Sequence, residues 1–242
     1  MISKREERVK NLVSDTKSLE IGGLNCHICE IAGGESEEKN VVYMGMHRFR
    51  EDEIEHTVSC IDEVAGCGIL LVMFEVDKWN SQLSPWPAKN EATIFEGDGK
   101  QTLNILTDKI ITYIKENYSC YRRQWIMGYS LAGLFALWGT METELFDGVI
   151  SCSGSLWYPG FMDYFDRNCD RCPEYTYISL GGKEEKSKNS LMASVGECTR
   201  KVVKTLQEKR NVKYEINPGG HFADSGKRLA KGIRWAEVTV QP

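Results

Sequence analysis

Three side chains in the second half of the chain have the types and surroundings for hydrolysis through a nucleophilic serine. The first is Ser130, in Gly128-Tyr129-Ser130-Leu131-Ala132-Gly133, between the β-rich run Gln124-Trp-Ile-Met and the helical run Leu134-Phe-Ala-Leu-Trp. A strand, a tight turn and a helix hold the turn residue in a strained backbone conformation, so its neighbours two positions away have to be small. Gly128 and Ala132 meet that need, with Ala132 standing where glycine is usual. The turn also puts Ser130 at a helix N-terminus, where unpaired N–H groups and the helix dipole favour a developing oxyanion. The same residues are compatible with a serine that merely caps a helix, so the partners decide.

A serine hydroxyl needs a neutral imidazole within hydrogen-bond reach to take its proton. Of four histidines, His221 lies in Asn217-Pro-Gly-Gly-His-Phe222, directly after the last β-rich run, at a strand end followed by a flexible turn. His27 falls inside an early strand, His56 on the polar side of a helix, and His47 upstream of the serine. The acid belongs at the end of the strand between serine and histidine, Thr176-Tyr-Ile-Ser-Leu, which runs into Gly181-Gly182-Lys183-Glu184-Glu185. The offset from the first glycine selects Glu184, and a one-residue shift in the turn exchanges it for Glu185. The order serine, acid, histidine differs from the orders of chymotrypsin and subtilisin. Because the imidazole has to be neutral, activity is expected to rise through about pH 6–8.

Backbone N–H groups complete the chemistry. One oxyanion donor is expected from Leu131, and the second from His47 or Met46, at the end of Val41-Val-Tyr-Met-Gly-Met-His-Arg48. Trp79, Trp86 and Trp157 are candidate apolar walls for an acyl or aryl group. The tryptophan-bearing stretch from Asp77 to Lys100 has no regular pattern, and such long loops are usually functional.

The elements that position these residues alternate. β-rich runs occur at 25–31, 41–46, 69–76, 124–127, 148–152, 176–180 and 212–216. Helical periodicity lies between them: Ile54, Val58, Ile61 and Ala65; Leu103, Leu106, Ile110 and Ile114; Leu191, Val195, Cys198, Val202 and Leu206. Strands alternating with helices predict an α/β fold, a mostly parallel central sheet with helices on both faces. The unbroken run Ile69-Leu-Leu-Val-Met-Phe74 fits a strand buried on both sides. With neither repeat nor linker in 242 residues, the expectation is one domain over 1–242. About twenty residues separate the run ending at Ser153 from the next, too few for a cap domain.

Composition excludes several classes. Hydrophobic residues make up 41% and charged residues 27%, with a formal charge of -5 and no dense basic run, which argues against a nucleic-acid partner. No stretch approaches the 18 or so apolar residues of a membrane span. The charged N-terminus does not read as a signal peptide, so a cytoplasmic protein with nine free thiols is expected. Cys26 and Cys29, in a strand pattern, face opposite sides, and Cys169 and Cys172 lie far from them, so no metal site is expected.

Taken together, GYSLAGLFALW, SCSGSLWYPGF, SLGGKEEKSKN and NPGGHF resemble the putative-esterase branch of the α/β-hydrolases, which includes enterochelin-esterase-like proteins and relatives of esterase D. The matching segments run from about Val41 to the C-terminus. The resemblance implies hydrolysis of a small-molecule carboxylic ester through an acyl-enzyme, with no metal or organic cofactor. It maps nucleophile, acid and base to Ser130, Glu184 and His221. Acyl transfer and thioester cleavage share this machinery, and a non-catalytic scaffold shares the fold.

Overall fold

The computed structural model describes residues 4–31, 39–48, 51–90, 93–118 and 121–239. Eight strands form one sheet: β1 (Lys17–Ile21), β2 (Leu24–Ile31), β3 (Lys39–His47), β4 (Gly68–Val76), β5 (Tyr121–Tyr129), β6 (Gly148–Cys152), β7 (Tyr175–Gly181) and β8 (Asn211–Asn217). Across the sheet they run in the order 1-2-4-3-5-6-7-8. β2 is antiparallel to both β1 and β4, and every other neighbouring pair is parallel. The β1–β2 hairpin turns on Gly22 and Gly23, with φ of 62° and 86°. A two-residue hairpin loop needs that left-handed backbone, which glycine adopts without a Cβ clash.

The central parallel strands are buried on both faces, and their alternation sorts side chains into two cores. Along β4, Leu70, Val72, Phe74 and Val76 join one cluster, while Ile69, Leu71 and Met73 join the other. The first core is closed by α3, α4 (Leu131–Glu142), α5 (Phe161–Asn168) and α6 (Val195–Gln207). Helix α3 runs from Gly99–Ile105 through a π-helical segment, Leu106–Ile110, into Ile111–Asn117. The second core is closed by α1 (Lys4–Ser14), α2 (Glu51–Val64) and α7 (Ser225–Thr239). This is the expected α/β-hydrolase architecture.

One reading needs correcting. The stretch from Asp77 to Lys100 is not wholly irregular: it holds a helical turn, Trp79–Gln82, and a small ladder between Ala88–Lys89 and Ile94–Phe95. Glu91 and Ala92 lie outside the described residues. The segment between β6 and β7 carries α5 and a single 3-10 turn, Cys169–Arg171.

Helix α4 is buried at every residue from Leu131 to Met141. A helix apolar on nearly every side has to be enclosed, and this one fixes the turn before it. The C-terminal ends of the parallel strands converge on one edge of the sheet, where doubly wound sheets bind ligands.

Candidate active site

Ser130 joins β5 to α4 with φ 59° and ψ −123°, a conformation costing about 1–3 kcal/mol for a non-glycine residue. The surroundings hold it there. Its amide donates to the Cys152 carbonyl (3.0 Å), and its carbonyl accepts from the amides of Leu134 (3.1 Å) and Ser155 (3.0 Å). The turn is so tight that a Cβ at position 128 would sit 2.1 Å from the Ala132 carbonyl oxygen. At position 133 a Cβ would meet the Gly128 oxygen and Gly154 Cα at 3.1 Å, tight but less severe. The small residue that this turn cannot replace is therefore Gly128.

His221 Nε2 lies 2.9 Å from Ser130 Oγ, and its Nδ1 lies 2.8 Å from Glu184 Oε2. The other carboxylate oxygen of Glu184 accepts from the Gly181 amide (2.7 Å), Ser153 Oγ (2.7 Å) and Arg228 Nη1 (3.1 Å). Burial pushes the Glu184 carboxyl up, but hydrogen bonds from His221, Ser153 and the Gly181 amide outweigh it and hold the group below the usual value. Glu184 is therefore an anion at neutral pH, able to orient the imidazole and stabilise its charged form. Glu185 is turned away, exposed and paired with Arg200 at 2.8 and 3.0 Å. Tyr129, next to the serine, donates its hydroxyl to the His221 carbonyl at 2.6 Å, and burial pushes its phenol pKa up.

The two backbone donors differ in how they are freed. Leu131 opens α4, so its N–H has no acceptor within the helix. On β3, the Arg48 amide donates to the Val76 carbonyl at 3.1 Å, on the β4 side. Amides alternate sides along a strand, so that of Met46 also faces β4, whereas that of His47 faces β5. Pairing between β3 and β5 stops at Met44–Met127, leaving the His47 position beyond the ladder.

A cleft of about 930 Å³ opens over the serine, with His47, Trp79, Tyr129, His221 and Phe222 among its walls. Trp79 packs against His47, ring centroids 6.0 Å apart. Trp86 and Trp157 are not part of this wall. Trp86 donates its indole N–H to the Pro159 carbonyl (2.9 Å) and packs on Tyr158 and Tyr164, while Trp157 packs edge-on against Phe95. Trp86 thus fastens the loop to the body, its indole N–H finding an acceptor there. Phe222, which sequence reasoning passed over, is 96% exposed at the cleft.

Cys26 and Cys29 lie in opposite cores, and Cys172 is buried with its thiol pushed up to about 12 by desolvation. Eight cysteines are described and all are free; Cys120 lies outside the described residues. Among the described residues, no group of three metal-binding side chains occurs and no helix is long and apolar enough to cross a membrane.

Arg228, Ser153 and Tyr129 support the relay and were not read from the sequence. Arg228 carried a usable signal: it shares a stripe of α7 with Gly232 and Ala236, where a charge faces the core and has to be paired.

Comparison with known proteins gives the family and the fold. Residues 49–221 match a family model described as "Putative esterase". The uncharacterized protein YbbA of Bacillus subtilis (strain 168) is 25% identical over 167 residues, covering 66% of this chain and 67% of its own length. The siderophore hydrolase EstA from Aspergillus nidulans superposes with a TM-score of 0.75 at 14% identity, over 94% of this chain and 95% of that one. An IroE-like serine hydrolase from Shewanella oneidensis gives a TM-score of 0.75 at 14% identity, over 91% and 79%. At such identities the structural likeness speaks to the fold.

Proposed function

The chain belongs to the putative-esterase family of α/β-hydrolases, and on that premise we propose that it cleaves carboxylic esters of small or modest-sized soluble substrates through an acyl-serine. The observation that carries the reading is the unbroken relay from Ser130 through His221 to Glu184, with the serine held in a strained turn at a helix N-terminus. We read residues 1–242 as one catalytic domain.

Ser130 Oγ attacks the ester carbonyl while His221 Nε2 takes its proton, and Glu184 steadies the imidazolium at Nδ1. The carbonyl oxygen becomes an oxyanion held by the N–H groups of Leu131 and His47, donors already in place before charge develops. His221 returns the proton to the leaving alcohol, giving an acyl-serine. Water then attacks with the same histidine as base, releasing the acid and restoring Ser130. The cleft, open at the strand ends and walled by Trp79 and Phe222, suits an ester reached from solvent. Siderophores are named as substrates of the structural neighbour EstA, and that specificity is not carried over to this chain.

Hydrolysis of p-nitrophenyl esters from acetate to octanoate, with Ser130→Ala as control, tests the reading. Ser130-dependent turnover is expected, together with Ser130-dependent labelling by a fluorophosphonate. A wild-type protein that neither turns over these esters nor takes the label is a binding scaffold, and the proposal fails.

A further inference from the structure

The loop carrying His221 has little regular structure, yet all five backbone carbonyls from Asn217 to His221 accept hydrogen bonds. Two come from the turn after β7: the Gly182 amide to the Asn217 carbonyl (2.9 Å) and the Lys183 amide to the Gly219 carbonyl (3.0 Å). Two more belong to Arg228, whose Nη2 donates to Pro218 (3.1 Å) and Gly220 (2.8 Å). The Ala223 amide adds a longer bond to Gly220, at 3.3 Å. The fifth, His221, accepts from Tyr129, whose hydroxyl in turn accepts from Arg228 Nη1 at 2.9 Å. That same Nη1 reaches Ser153 Oγ (2.8 Å) and Glu184 Oε1 (3.1 Å).

One guanidinium thus grips the acid on one side and the histidine's loop on the other. We infer that Arg228 is a positioning residue that sets the distance between the Glu184 carboxylate and the His221 imidazole. The inference rests on reading Ser130, His221 and Glu184 as the catalytic relay.

Three features favour positioning over simple stability. The loop is intrinsically loose: Gly219 has φ 87°, and a Cβ at Gly220 would meet nothing within 4 Å. Chain freedom of this kind has to be removed by specific bonds. The Arg228 and Glu184 side chains are 2% and 4% exposed, and a buried ion pair is a poor stabilising device compared with apolar packing. The bonding also uses a planar fork: both terminal nitrogens serve several acceptors at once, while buried Nε has no partner. A lysine keeps the charge but cannot reproduce that geometry.

The experiment is a kinetic cycle on the full chain, with active sites counted by fluorophosphonate labelling so that only folded enzyme is compared. Arg228→Lys is expected to lower kcat about 100-fold, the scale of a 1 Å misplacement of reacting groups, while KM changes little. Tyr129→Phe cuts one strand of the same network without disturbing the ion pair, and is expected to give a smaller fall in kcat. If Arg228 acts through Glu184, the losses in Arg228→Lys and Glu184→Gln fall short of multiplying in the double variant. Unchanged kcat in Arg228→Lys, or losses that multiply fully, overturns the inference while wild-type labelling leaves the catalytic reading standing. A wild-type protein that takes no label overturns both.

Discussion

Ser18, His27 and Glu75 form a hydrogen-bonded file of the same three residue types as Ser130, His221 and Glu184, at similar distances. Ser18 Oγ lies 2.8 Å from His27 Nδ1, and His27 Nε2 lies 3.1 Å from Glu75 Oε1, whose partner oxygen accepts from Asn25 at 3.1 Å. The surroundings differ in every respect that matters for chemistry. Ser18 sits within β1, directly opposite His27 in the ladder, and is not one of the described non-glycine residues with positive φ, which are Ser130, Ser153 and Asp224. No helix begins at Ser18, and it is absent from the cleft wall. Its imidazole is reversed, with the carboxylate on Nε2. Glu75 lies two residues beyond Met73, the residue opposite His27 on β4, so the file follows from ordinary cross-strand proximity. Hydrogen-bonded neighbours are cheap to produce; an aimed nucleophile beside preorganised N–H donors is what catalysis requires.

Paired substitutions in the two files put this contrast at risk. The largest effect is expected for Ser130→Ala, which removes roughly 10⁶-fold in kcat, whereas Ser18→Ala leaves kcat/KM within about twofold. Turnover of p-nitrophenyl acetate reads both, and loss of activity in Ser18→Ala would erase the distinction. Next comes the acid: Glu184→Gln is expected to cost about 10³- to 10⁴-fold in kcat, while Glu75→Gln is expected to affect catalysis little.

Acid stability gives a third, smaller separation. The Glu184 carboxyl is held below its ordinary 4.5 in the folded chain. Its stabilisation is therefore fully present above that value and is lost as pH falls through the lower folded value. Urea midpoints of wild type and Glu184→Gln should differ at neutral pH and approach each other below about pH 4; a constant difference would mean the charge does not stabilise the fold. The smallest effect is expected for Phe222→Ala, with its ring edge-on to His221 at 5.1 Å. Thermal stability should hold, because the ring is exposed, while KM for octanoate rises a few-fold and KM for acetate does not. Equal KM changes for both esters would remove Phe222 from the acyl-binding wall.

The sheet was legible because its central strands are continuous apolar runs, and no other element accommodates Ile69 to Phe74 so simply. β1 was missed: Lys-Ser-Leu-Glu-Ile is short, half polar and at the edge, where burial patterning is weak. Helix α7 was also missed, since Arg228 interrupts the stripe that would have announced it. Around the site, Ser130 and His221 showed themselves through glycine punctuation and strand ends, and the three-residue offset chose Glu184 over Glu185. His27 was set aside because it lies within a strand, although its serine and glutamate partners, 9 and 48 residues away, were invisible. What sequence could not reveal was the convergence of Tyr129, Ser153 and Arg228, which depends on three separate elements meeting at one point.

The dependence of the histidine loop on Arg228 also bears on when the protein becomes competent as it folds. The β1–β2 hairpin closes over a two-residue turn, but Ser130 and His221 are 91 residues apart, and the side chain fixing their alignment arrives later still, on the last described helix. Contacts so distant along the chain are slow to close. During synthesis the elbow can therefore be complete and buried while the relay is still unaligned, its geometry set only as α7 docks.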